Sequence, residues 1–214
     1  MFLGHFGVGL AAKRAAPAVS LGTLFLAAQF LDLLWPDLLL AGIEKVRIDP
    51  GATPPLDFTH YPITHSLLGA LVWAALFGAV YYAIRRRRTA AIVTALAVLS
   101  HWVLDLLVHH PDLPLVPGGT KVGLGLWSYP VASNVLEFAI FGTGLWLYTH
   151  MTRAVDQVGR WSLWALAAFL VLIQVGNAMG SPPPSVTAVA WAAEAQWLLV
   201  IWGYWVDRHR QGKT

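Results

Sequence analysis

Residues 65–110 read HSLLGALVWAALFGAVYYAIRRRRTAAIVTALAVLSHWVLDLLVHH. Two apolar runs, 64–84 and 89–109, flank four consecutive arginines, Arg85 to Arg88. Each run is about 20 residues, the length a helix needs to cross a bilayer core of ~30 Å at 1.5 Å rise per residue. The arginine run between them is a loop at the membrane surface, so the stretch reads as a hairpin of two transmembrane helices.

The same pattern recurs on both sides. Further apolar runs lie at 18–42, 131–150, 161–180 and 186–206, and a short helix is expected at 2–16. The expected fold is all-α, a polytopic transmembrane helical bundle of six to seven membrane segments, built as one integral-membrane domain over 1–214. Composition agrees: 57% of the 214 residues are hydrophobic and 12% are charged, roughly half the charged share of a soluble domain. The net charge of +3 is too small to argue for nucleic acid. The chain contains no cysteine, which excludes disulfides, thiolate ligands and a cysteine nucleophile; any metal here must use His, Asp or Glu. The opening MFLGHFGVGLAAKRAAP places its basic pair after the apolar stretch, the reverse of a secretory signal.

Lys and Arg orient the bundle. Lys13 and Arg14, Arg85 to Arg88, Arg153 with Arg160, and Arg208, Arg210 with Lys213 all fall on one side if the segments alternate. By the positive-inside rule that side is the cytoplasm. The opposite loops, 43–63, 110–130 and 181–185, hold only Lys45, Arg47 and Lys121. Of these, 110–130 is rich in Pro and Gly and reads as a structured cap.

Ionisable groups inside lipid are costly and mark function. Here they are His5, Asp32, His65, His101, Asp105, Glu137 and Glu194. Counting helical rise along each segment places all of them in the outer half of the hydrocarbon core. They sit on separate helices of alternating direction, so a shared site is the simplest account of their common depth. His101 and Asp105, at i and i+4, share a helical face that extends to His109, and two such side chains can chelate one ion. Alternatively, Asp105 orients His101 as an outer partner. Pro62 disfavours helix through His60, so Thr64 is the expected N-cap, with His65 in the first turn. Each residue also has a plainer reading: interfacial for His5, helix-packing for Asp32, a structural pair for His101 and Asp105, solvent-side for His60, His109 and His110. Glu137, with Asn134 one turn away, is the better of the two glutamates.

The motifs Gly4-His5, D-x-x-x-P at 32–36, H-x-x-x-x-H-S at 60–66 and S-H-x-x-x-D at 100–105 resemble the YdjM-like family of membrane-bound, metal-dependent hydrolases, also described as LexA-binding, inner-membrane-associated hydrolases. The resemblance covers about residues 3–120, the motif-bearing half; 121–214 adds further transmembrane helices. It implies metal ligation by His5, Asp32, His65, His101 and Asp105. The order of His, Asp, His and H-x-x-x-D is also distantly similar to the zinc-dependent phospholipase C and P1 nuclease group. Two departures from the family pattern stand out. Its PDxD carries a second acid where this chain has Leu34, and an Arg of the family is replaced by Tyr61.

These residues lead to an expected function. A divalent ion, zinc for preference, would lower the pKa of a bound water toward ~7 for attack on an ester or phosphoester at the outer face. Asp105 or Glu137 would take the proton. The site's depth suits membrane lipids and an amphiphilic or lipid-linked substrate, and the expected location is the inner membrane, multi-pass. The alternatives are an ion or proton-coupled transporter with an intramembrane site, or a non-catalytic scaffold using polar residues as helix glue.

Overall fold

The computed structural model of the protein describes residues 1–213. Among the described residues, five helical stretches are long and apolar enough to cross a membrane. They are α4 (Leu67–Arg85), α5 (Arg88–Val108), α6 (Pro130–Met151), α7 (Gln157–Met179) and α8 (Val186–Glu194), which runs on into α9 (Gln196–Arg208). Before them come α1 (Leu3–Ala12), α2 (Leu21–Ala28) and α3 (Phe30–Leu40). The fold is therefore the all-α membrane bundle that the apolar runs imply. Leu68, Leu71, Leu76, Val80 and Ile84 on α4 are exposed, as expected of a face that meets lipid instead of water.

The interior is made from the first three helices. α1 is buried along most of its length and packs on α6, α2 and α5. Its closest crossing is glycine on glycine. A Cβ on Gly144 of α6 would collide with the Gly7 carbonyl, and a Cβ on Gly7 would meet the backbone of Ile140 at 2.8 Å. Small residues let helix backbones approach this closely in membranes. α2 packs on α9, α3 on α8 and α4 on α5.

Three details differ from the sequence reading. The run 18–42 is not one straight segment: α2 and α3 meet at 56°. The bend falls at Gln29, whose φ of −99° and ψ of 6° lie in the bridge region outside the helical well. The first helix ends at Ala12, four residues earlier than expected. The cap of α4 is Ser66, not Thr64: Ser66 Oγ accepts from the Gly69 amide at 2.9 Å and donates to the Pro62 carbonyl at 2.6 Å. His65 therefore precedes the helix.

The loops carry short antiparallel ribbons that periodicity did not announce. β1 (Lys45–Ile48) pairs with β2 (Leu56–His60), and β3 (Leu113–Pro114) with β4 (Lys121–Val122); both cap one end of the bundle. β5 (Thr152–Ala154) pairs with β6 (Arg210–Gly212). The second end gathers the basic groups. Lys13 bonds Asp207 at 2.9 Å, the β5–β6 ribbon joins the 152–154 loop to the C-terminal segment, and residues 15–19 share a cleft with Arg87 and Arg88.

Candidate metal centre

Five side chains converge between α1, the α2–α3 bend, the start of α4 and the last turns of α5. Two of them are carboxylates, Asp32 and Asp105. Three are imidazoles, His5, His65 and His101, all buried. The atoms facing one another form a closed ring. His65 Nε2 is 3.3 Å from Asp32 Oδ1, and that oxygen is 3.4 Å from His101 Nε2. His101 Nε2 is 3.3 Å from Asp105 Oδ2, and that oxygen is 3.7 Å from His65 Nε2. Four ligands at zinc bond lengths of about 2.0–2.2 Å, set tetrahedrally, stand roughly 3.3–3.6 Å apart. Three sides of the ring are close to such an edge, but the ring donors mutually within 4.8 Å are those of Asp32, His65 and His101, and Asp105 joins from the far side through His101 and His65.

The outward nitrogens explain why Nε2 faces inward. His101 Nδ1 lies 2.9 Å from the Ala28 carbonyl, which can only accept, so Nδ1 carries the proton. The bend supplies that carbonyl, since the last turn of a helix leaves its carbonyls without intrahelical partners. His65 Nδ1 lies 2.7 Å from Thr64 Oγ1. A neutral imidazole protonated at Nδ1 turns a lone pair inward from Nε2, and here that lone pair meets carboxylate oxygens. His101 Nε2 is buried with no hydrogen-bond partner among the described residues. Acceptors facing acceptors in a buried ring call for a cation or protons between them, and neutral imidazole with carboxylate is a donor set that zinc takes.

His5 lies to one side. Its ring stacks on that of His101, with centroids 3.7 Å apart and planes within 5°, and its Nε2 is 3.2 Å from Asp105 Oδ1. The Met1 amine is 2.6 Å from the same oxygen. Donor atoms of His5, His101 and Asp105 lie within 4.8 Å of one another, as do those of Asp32, His65 and His101. The two groupings share His101, which has one free nitrogen, so they compete for a single donor.

Glu137 is buried but is not brought into this ring, a correction to its expected place as base or extra ligand. Its Oε2 accepts from the amides of Phe2 and Gly4, both at 3.0 Å. It satisfies the amides left open at the start of α1, the helix that carries His5. Asn134 turns elsewhere, accepting from Gln174 Nε2 at 3.0 Å. Glu194 lies beside Asp37, apart from the ring.

Sequence reasoning missed other residues. His109, expected on the solvent side, is 3% exposed; its Nε2 is 3.9 Å from Asp105 Oδ2 and its Nδ1 is 2.9 Å from Asp112. The signal for it is the i, i+4, i+8 stripe that begins at His101. His60 is exposed and His110 half-buried. Tyr61, in place of the family's Arg, donates to Asp112 Oδ1 at 2.9 Å. Burial, with the Asp112 carboxylate beside it, pushes the Tyr61 phenol up, which keeps it a donor. Trp35, Phe58, Tyr61 and Trp127 wall the outer side around His65 and His109. Glu44, four residues past the end of α3, reaches Thr64, a contact between residues twenty apart that no local spacing announces.

Comparison with known proteins covers every element of this centre, from His5 on α1 to the His101–Asp105 turn of α5. No curated protein and no solved structure matches the chain. The sequence model of the YdjM inner membrane protein family matches residues 1–181, well beyond the 3–120 expected from motifs alone, and the chain belongs to that family.

Proposed function

We propose that this protein is a membrane-embedded, metal-dependent hydrolase that cleaves an ester or phosphoester at the end of the bundle opposite its basic loops. His65, His101, Asp32 and Asp105 would hold the ion, with zinc the favoured metal. The single observation that carries this reading is the ring of four donor atoms with edges of 3.3, 3.4, 3.3 and 3.7 Å. When bound, a divalent ion supplies Lewis acidity and a water made acidic enough to attack near neutral pH.

The chain's own residues divide the remaining work. Asp32 is the exposed edge, with 22% of its side chain accessible against 2% for Asp105, so substrate approaches past Asp32. At the open edge Asp32 is the carboxylate placed to take the proton from the attacking water, since Asp105 Oδ1 points away from the ring and is held by the Met1 amine and His5. His5 reaches the centre through that oxygen and holds it in place. The aromatic wall of Trp35, Phe58, Tyr61 and Trp127 excludes bulk water. An apolar wall beside a polar edge at membrane depth suits an amphiphilic substrate, a lipid or a lipid-linked ester. By the positive-inside rule the site faces away from the cytoplasm.

A second reading rests on the same ring. Protons on His65 and His101 Nε2 would turn its four contacts into ion pairs, and the cluster would be helix glue or a proton path. Elemental analysis of purified protein separates the two. About one zinc per chain, with hydrolysis of a lipid phosphoester in detergent, supports the enzyme. Absence of metal defeats it, and zinc flux in proteoliposomes without hydrolysis favours a transporter. Orientation is tested by Thr89→Cys and Thr120→Cys, both exposed, in a chain without native cysteine. Only Thr120→Cys should react with an impermeant reagent from outside; labelling of Thr89→Cys would reverse the topology.

A further inference from the structure

One fully buried carboxylate has no part in the ring. Glu44 stands just before β1, at the foot of the β1–β2 ribbon, with 0% exposure. Burying a charge there is tolerable only if its oxygens are filled, and they are. Oε1 accepts from the amides of Ile63 at 2.7 Å and Thr64 at 2.9 Å. Oε2 accepts from Thr64 Oγ1 at 2.6 Å.

That last bond fixes everything beyond it. A hydroxyl has one proton. Thr64 gives its proton to Glu44, because an ionised carboxylate can only accept. Toward His65 Nδ1, 2.7 Å away, the hydroxyl must therefore accept, so Nδ1 carries the ring proton. The other nitrogen, Nε2, is then the free one, and it is the atom that faces Asp32 and Asp105. The His65 backbone is held independently: its amide donates to the Tyr61 carbonyl at 3.1 Å, and its carbonyl accepts from Trp102 Nε1 at 3.0 Å. His101 needs no such device, since the Ala28 carbonyl cannot donate.

We infer that Glu44 and Thr64 are a tautomer lock on His65, positioning residues that present its Nε2 to the metal and make the outer ribbon part of the metal centre. The lock rests on the metal reading above for its purpose, but the direction of the hydrogen bonds can be tested without metal.

Glu44→Gln is nearly isosteric and should reverse the chain. Its amide oxygen must stay with the two backbone amides of Ile63 and Thr64, which puts the NH2 against Thr64 Oγ1. The hydroxyl then turns its proton toward His65 Nδ1, and the ring proton moves to Nε2, against the carboxylates. Thr64→Val deletes the link and Thr64→Ser keeps it. Zinc affinity, measured by competition with a chromophoric chelator on monodisperse protein, should fall roughly 10–100-fold in Glu44→Gln and Thr64→Val, while Thr64→Ser binds as wild type. NMR of protein with nitrogen-labelled histidine should find His65 Nδ1 protonated in the wild type, with and without zinc, and unprotonated in Glu44→Gln. Unchanged zinc affinity in both Glu44→Gln and Thr64→Val, or an unprotonated Nδ1 in the wild type, overturns the lock. A wild type that binds no zinc sinks the metal reading, and the Nδ1 signal still decides the lock. If Glu44→Gln fails to fold, the contrast between Thr64→Val and Thr64→Ser decides the question.

Discussion

Both ends of the bundle bury charge, and they do it in opposite ways. At the basic end, Lys13 and Asp207 form a balanced pair. Lys13 Nζ has three donors and three acceptor contacts, to Val19 O at 2.8 Å and to both Asp207 oxygens at 2.9 Å. Tyr148 adds a hydrogen bond to Asp207 at 3.0 Å. The donors and acceptors there match. At the other end, Asp32 and Asp105 meet His65 and His101, whose outward nitrogens are already committed, while the Met1 amine and His5 take only the outer oxygen of Asp105. The remaining valence points inward with no partner of opposite kind among the described residues. Burial alone thus does not distinguish a site from a clamp between helices; the unspent donor or acceptor capacity does.

The strongest way to break this contrast is to cut both ends. His101→Ala with Asp105→Asn removes one carboxylate charge and one donor from the ring. It should still insert and purify as a monodisperse protein, less stable than wild type because the buried Met1 amine loses its carboxylate partner, and it should carry no stoichiometric zinc. Lys13→Met should cost stability alone. Breaking one partner of a buried pair costs about 3–5 kcal/mol, so thermal stability should drop sharply while zinc per folded chain stays as in the wild type. A double variant with full metal content removes both residues from the centre. A Lys13→Met protein that loses zinc at unchanged stability would dissolve the distinction between the ends.

Metal removal tests the same point with the sequence intact. A ligand at about 100 times its Kd stabilises the folded state by roughly 2.7 kcal/mol. For a chain of this size that is about 5–10 °C in Tm. A strong chelator should lower the Tm of zinc-loaded wild type by that amount and leave the His101→Ala, Asp105→Asn protein unmoved. Equal shifts in both would place the chelator's effect elsewhere.

The bundle is legible in the sequence because membrane helices are set by length and apolarity, and both are written along the chain. The bend at Gln29 is not, because an apolar run records how far a helix extends and not where its axis turns. That bend matters, since it frees the Ala28 carbonyl for His101. Within the ring, the turn from His101 to Asp105 is legible from spacing, and Asp32, His5 and His65 from their common depth. Glu137 matches the depth equally well yet lies against α1. Depth is one coordinate, and it cannot say which way around the helix a side chain points. Glu44 lies outside the apolar runs, so no argument from the cost of charge in lipid singles it out.

Glu137 sharpens the comparison on a smaller scale. As a cap on α1 it resembles an N-cap, worth about 0.5–2 kcal/mol, and it reaches the ring only by steadying His5. Glu137→Ala should therefore lower stability by that order, and zinc content should persist. If Glu137→Gln abolishes hydrolysis at full zinc content and unchanged Tm, Glu137 acts in the chemistry and its role as a cap is incomplete.

The smallest effect belongs to a hydrogen-bonded pair at the basic end that is largely open to solvent. Asp156 caps α7: its Oδ1 accepts from the Gly159 amide at 2.8 Å, and its Oδ2 lies 2.6 Å from His209 Nδ1. The Gly159 amide first, and His209 second, hold the Asp156 carboxyl below its ordinary range. A carboxyl depressed in the folded chain adds stability above its unfolded pKa of ~3.9, and that stability is lost as pH falls through the folded value. Asp156→Ala should therefore lower Tm slightly at pH 7, and the gap from wild type should close as the pH drops below about 4. Solvent screens this pair, so added salt should shrink the His209 part of the gap and spare the cap to Gly159. The Lys13–Asp207 pair, shielded from water, should show much less salt dependence when probed by Lys13→Met. If salt erases the effect of Lys13→Met as readily as that of Asp156→Ala, the basic end is wet throughout. The two ends would then differ only in composition, not in how they hold buried charge.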